Sequence, residues 1–127
     1  MKNIPLLASV SLLIAGVALP LVATAADKKG TFGAIAYSEK TQQYGIGAGE
    51  TSAEAKKNAI SFCKSSDCEV VVEYKDDCAA LAISKDGGYY GTGEADSKGE
   101  AKVNAMKFCS EKGKGCEIVV ADCTADE

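Results

Sequence analysis

The chain is written twice. Displaced by 46 residues, the segment from Ser38 to Cys63 aligns without a gap on the segment from Ser84 to Cys109, and 11 of its 26 positions are identical. Past a two-residue insertion, Cys68 matches Cys116 and "CEVVV" matches "CEIVV". Two copies are too few for a solenoid, which stacks several repeats to bury a continuous core. They predict one pseudo-symmetric domain, with a first repeat over residues 32–77 and a second over residues 78–123. Residues 26–31 and 124–127 are expected to be short tails.

Each copy has the same order of elements. An apolar strand comes first, "FGAIAYS" or "CAALAIS". A polar turn follows, and Asp86-Gly87-Gly88 in the second copy suits a hairpin with positive φ. A glycine-rich strand comes next, "YGIGAGE" or "YYGTGEA", then a helix, then a β-branched strand. The helix starts at a capping box in both copies, Thr51-Ser52-Ala53-Glu54 and Ser97-Lys98-Gly99-Glu100. Its apolar stripe is expected to comprise Ala55, Ala59, Phe62 and Cys63, and in the second copy Ala101, Ala105, Phe108 and Cys109. The fold class is therefore α+β, an internally duplicated ββαβ-ββαβ arrangement. One mainly antiparallel sheet with both helices packed on one face is expected.

Gly45 and Gly47 recur as Gly91 and Gly93, two residues apart and so on one face of a strand. These glycines are expected to let alanine-faced helices approach the sheet; the competing explanation is space left for a ligand. Asn58 and Asn104 border the helix stripe at equivalent places and are expected to satisfy nearby backbone.

Six cysteines in a small domain predict a disulfide framework. Equivalent cysteines should make equivalent bonds. That gives Cys63–Cys68 and Cys109–Cys116, each pinning a helix end to the next strand, and leaves Cys78–Cys123 to tie the ends of the two copies.

The N-terminus reads as a cleaved export signal over residues 1–25. Lys2 precedes an uncharged apolar run, and "ATA" ends at Ala25. A periplasmic or secreted protein is expected, with no membrane attachment after cleavage.

Much chemistry is missing from the composition. There is no histidine, so Ser-His-Asp and Cys-His constellations and histidine metal sites are absent. The net charge is −4 and every basic residue is lysine, which argues against nucleic acid as a partner. No phosphate-cradling loop is present. No cofactor, metal or catalytic residue is expected.

The whole pattern resembles the family called domain of unknown function 4189. The matching residues are Gly33-Ala34-Ile35-Ala36-Tyr37, Glu54-Ala55, Cys63, Cys68, Cys78-Ala79-Ala80-Leu81-Ala82, Glu100-Ala101, Cys109, Cys116 and Cys123. The resemblance implies a small, cysteine-rich, exported bacterial module and carries no activity, cofactor or site residue with it.

The functional expectation is a non-enzymatic module that binds a protein partner, of inhibitor or immunity type. A hydrolase using paired carboxylates, or a structural envelope protein, is the alternative. Tyr89, Tyr90, Asp76 and Asp77 are the candidate contact residues. More generally, a working surface is expected where the copies differ: residues 39–43 against 85–89, residues 64–67 against 110–115, and residues 73–77.

Overall fold

The computed structural model describes residues 31–124. The expected export signal and both distal tails lie outside these residues, except for Thr31 and Thr124. The elements are β1 (Phe32–Tyr37), β2 (Tyr44–Gly49), α1 (Ser52–Cys63), β3 (Glu69–Lys75), β4 (Cys78–Ile83), β5 (Tyr90–Ala95), α2 (Lys98–Lys112) and β6 (Glu117–Cys123). This is the duplicated ββαβ arrangement, and every strand pairing is antiparallel.

The six strands do not join into the single sheet expected. They form two sheets of three, ordered β2-β1-β3 and β5-β4-β6. The reason lies in the two central strands. Ala34 and Ala36 of β1 pack with Ala55, Ala59 and Cys63 of α1. The alternate residues Ile35 and Tyr37 pack instead with Ala79, Leu81 and Ile83 of β4. A strand that is apolar on both faces needs cover on both. Each central strand takes its own helix on one side and the other sheet on the other. The layers therefore run α1, sheet, sheet, α2, and the helices lie on opposite outer faces.

A bulge in each copy feeds this inner core. The register shifts between Ile35 and Ala36 opposite β3, and between Leu81 and Ala82 opposite β6. The extra residue lets two consecutive side chains face the same way. Val71 and Val72, and likewise Val119 and Val120, all enter the core between the sheets.

The helices lie on glycine. A Cβ added at Gly45, Gly47, Gly91 or Gly93 would meet helix backbone atoms closer than 3.0 Å. The backbone of α1 or α2 fills that space, which leaves no room for a ligand there. This close approach overturns one expectation. Phe62 and Phe108 are 61% and 59% exposed and do not belong to the buried stripe. Contact runs along Ala55, Ala59 and Cys63, and along Ala101, Ala105 and Cys109, one residue in four. A side chain about 60° away around the helix meets no space beneath an axis held this low, so the ring projects past the sheet.

Local bonds complete each half. The Thr51 hydroxyl accepts from the Glu54 N–H at 3.1 Å, and the Ser97 hydroxyl from the Glu100 N–H at 3.2 Å. Asn58 donates to the Ala48 carbonyl at 2.8 Å and Asn104 to the Glu94 carbonyl at 3.3 Å, stitching each helix to its edge strand. The cysteines pair as Cys63–Cys68, Cys109–Cys116 and Cys78–Cys123. The third bond does not tie the copies together. Cys78 and Cys123 face each other across β4 and β6, so this bond closes the second copy on itself.

Candidate functional site

Both hairpin turns lie at one end of the sandwich and touch there, with Gln42 Nε2 at 3.5 Å from the Asp86 carbonyl. On either side of that contact opens a cleft between the sheets. The first, about 310 Å³, is lined by Tyr37, Glu39, Lys40, Asp67, Glu69, Val71 and Tyr90. The second, about 400 Å³, is lined by Gln42, Tyr44, Ile83, Ser84, Lys85, Gly115, Glu117 and Val119.

The two clefts are made by equivalent positions. Tyr90 of the first answers Tyr44 of the second, Val71 answers Val119, and Glu69 answers Glu117. The differences are chemical: Tyr37 stands where the second cleft has Ile83, Glu39 where it has Lys85, and Asp67 where it has Gly115. The first cleft therefore carries three carboxylates against one ammonium, and the second carries one of each.

The floor of the acidic cleft is aromatic. Tyr37 ends β1 and is 2% exposed. Its ring meets that of Tyr90 edge-on, with centroids 5.3 Å apart and planes at 60°. The Tyr37 hydroxyl is buried without a hydrogen-bond partner. Burial, then the nearby charge of Glu39, then Tyr90 push the Tyr37 phenol above the usual tyrosine range. Tyr90 is pushed up by burial and by the carboxylates of Glu39 and Glu69. Burial is the larger cause of both shifts, and the nearby carboxylates act in the same direction.

The residues singled out from sequence do not converge. Tyr89 and Tyr90 are adjacent and point to opposite sides: Tyr89 is exposed on the hairpin, with its backbone bonded to Ser84, and Tyr90 enters the cleft. Asp76 and Asp77 lie in the turn between β3 and β4, at the far end of the strands from that hairpin. Asp77 is held by Thr124, whose N–H donates to the Asp77 carbonyl at 2.8 Å. Asp77 leaves Oδ1 buried and unpartnered, and the Glu94 carboxyl is pushed up by burial first and then by Asp77. Gly45, Gly47, Gly91, Gly93, Asn58 and Asn104 are occupied in packing, as described above.

Glu39, Asp67 and Glu69 were not singled out one by one. Glu39 and Asp67 do fall in the segments where the copies differ, and that asymmetry is the signal that locates them. Among the described residues, no three Cys, Asp or Glu side chains are grouped closely enough to hold a metal ion. No helix among them is long and apolar enough to cross a membrane.

Neither the curated proteins nor the solved structures offer a match to the chain. A family profile does match, over residues 32–123, the whole of both repeats. The chain thus belongs to the family of the domain of unknown function DUF4189.

Proposed function

We propose that this domain is an exported, disulfide-locked module that binds a protein partner, of the inhibitor or immunity kind. The observation that carries this reading is the placement of its scarce large apolar side chains. The chain has five tyrosines, three phenylalanines and no tryptophan. Phe62 and Phe108 on the two helices, Val103 on another face of the second helix, and Tyr44 and Tyr89 at the hairpin end are all exposed by 41% or more. Aromatic side chains left in water on a chain with so small a core favour contact surfaces, here one on each outer helix face and one at the hairpin end. Three disulfides suit an oxidising compartment, in line with the export signal read from the N-terminus.

The test is affinity capture from envelope and culture proteins with the oxidised domain, wild type beside a Phe62→Ser/Phe108→Ser variant. Both positions are solvent-exposed, so the variant keeps the fold. A stoichiometric partner retained by the wild type and lost by the variant supports the reading. Absence of any such partner overturns it.

The Asp77–Glu94 pair favours a second reading, a carboxylate-based envelope hydrolase. Burial and the neighbouring Asp77 charge both push the Glu94 carboxyl up, the direction a general acid needs. Release of soluble fragments from isolated envelope polymer, abolished by Glu94→Gln, would support it; equal inactivity of wild type and variant would end it.

A further inference from the structure

We propose that the acidic cleft lined by Tyr37, Glu39, Glu69 and Tyr90 receives a primary alkylammonium group, carried by a lysine side chain or by a free alkyl amine. The proposal deepens the binding reading, because a lysine offered by a partner is one source of that group.

Two independent observations meet in this cleft. The first is charge. Glu39, Asp67 and Glu69 come from a hairpin turn, a helix–strand loop and a strand, and converge on one opening against Lys40 alone. The second is an unmet hydrogen bond. Tyr37 lines the cleft, is only 2% exposed, and carries a buried hydroxyl with no partner. A buried hydroxyl without a partner is destabilising, and native proteins seldom keep one without a reason. A phenolic oxygen can accept from an ammonium donor as well as donate, so the same cation answers both observations.

The shape of the cleft narrows the ligand class. Among the described residues, no three carboxylates are spaced to chelate a bare metal ion. The walls are Val71 and the Tyr37 and Tyr90 rings, which suit a methylene stem and place aromatic faces beside a cation. An ammonium carries three donors that can turn toward acceptors on separate segments, whereas a guanidinium needs a planar, paired acceptor. A volume of about 310 Å³ admits a short stem and lies at the small end of ligand sites. The equivalent cleft, with Ile83 for Tyr37 and Lys85 for Glu39, lacks both features and serves as an internal control.

Isotope-labelled oxidised protein is titrated with Nα-acetyl-lysine methylamide, with cadaverine, with the arginine analogue and with the norleucine analogue, which keeps the stem and lacks the charge. Saturable amide shifts are expected at Tyr37, Val71 and Tyr90, with a Kd of about 0.1–1 mM. Binding of the lysine derivative alone assigns the group to a polypeptide; binding of cadaverine alone assigns it to a free amine. Glu39→Gln and Glu69→Gln should each weaken binding about 5-fold or more. Lys40→Ala removes the built-in competitor and should tighten it. Tyr37→Phe should weaken binding while raising the melting temperature, a combination that a purely structural tyrosine would not give. No saturable shift by about 10 mM overturns the proposal. So does equal binding of the norleucine or arginine probe, or shifts confined to the Lys85 cleft. Partner capture without amine binding would refute this inference alone. Amine binding without capture would refute the partner reading alone.

Discussion

The two repeats share one backbone plan and close it differently. In the first, Phe32 faces Lys75 across β1 and β3, and the Lys75 ammonium lies 5.0 Å from the centre of the Phe32 ring. In the second, the same register position holds Cys78 and Cys123, joined as a disulfide. Farther in, Tyr74 and Asp122 occupy matching places on β3 and β6, yet they meet each other across the sandwich in a 2.8 Å hydrogen bond. The shared features are small residues at close approaches and a bulge at a fixed point. The variable features are the side chains that cover those points. Backbone geometry in this fold is thus set by what must be absent, and the staples over it can be exchanged.

The largest effect should come from breaking what the copies share. Gly47→Val and Gly93→Val each place atoms where helix backbone runs, and each should abolish cooperative unfolding followed by circular dichroism. If either variant folds like the wild type, close packing is not the common element. The next test exchanges the staples. Replacing Cys78 and Cys123 by alanine should cost about 2–4 kcal/mol in denaturant unfolding. Lys75→Met at the matching place in the first repeat should cost about 0.5–1 kcal/mol. Equal losses would erase the distinction.

A smaller effect belongs to the contact across the sandwich. Tyr74→Phe removes the bond to Asp122 and should cost about 1 kcal/mol. The same bond predicts behaviour in alkali. Burial, then the hydrogen bond to Asp122 and its charge, push the Tyr74 phenol well above the usual range. A group whose pKa is raised on folding contributes fully below its unfolded value, near pH ~10, and loses that contribution as pH climbs from there through the folded value. The last phase of the rise at 295 nm, missing in Tyr74→Phe, should therefore coincide with loss of ellipticity. Smallest, and opposite in sign, Tyr37→Phe should stabilise the free domain by up to about 1 kcal/mol, because it deletes a buried hydroxyl that has no partner.

What could be read from the sequence was what is local. The capping boxes act over three residues, the asparagines over ten, and the two helix-end disulfides over five and seven. Each falls within one repeat, and the other repeat vouches for it. The arrangement of the sheets was less legible, because "GAIAY" and "CAALAI" announce two apolar faces without naming what covers the second. Phe62 and Phe108 misled for a geometric reason: periodicity reports direction around a helix and is blind to how low the axis sits. The acidic cleft was the hardest to see. Tyr37, Asp67 and Tyr90 are far apart in the chain, and Tyr90 arrives from the other repeat, so only the folded sandwich joins them.

One consequence follows from the position of the third disulfide. All six cysteines are paired and every bond lies inside a single repeat. The halves are held by an apolar face, by the Tyr74–Asp122 and Gln42–Asp86 hydrogen bonds, and by one strand of backbone, the turn at Asp76 and Asp77. In that respect the domain is a dimer fused into one chain. If the turn were to straighten, each half could bury the same face against the complementary half of a neighbouring molecule, and two chains would exchange arms while keeping every sulfur bond intact.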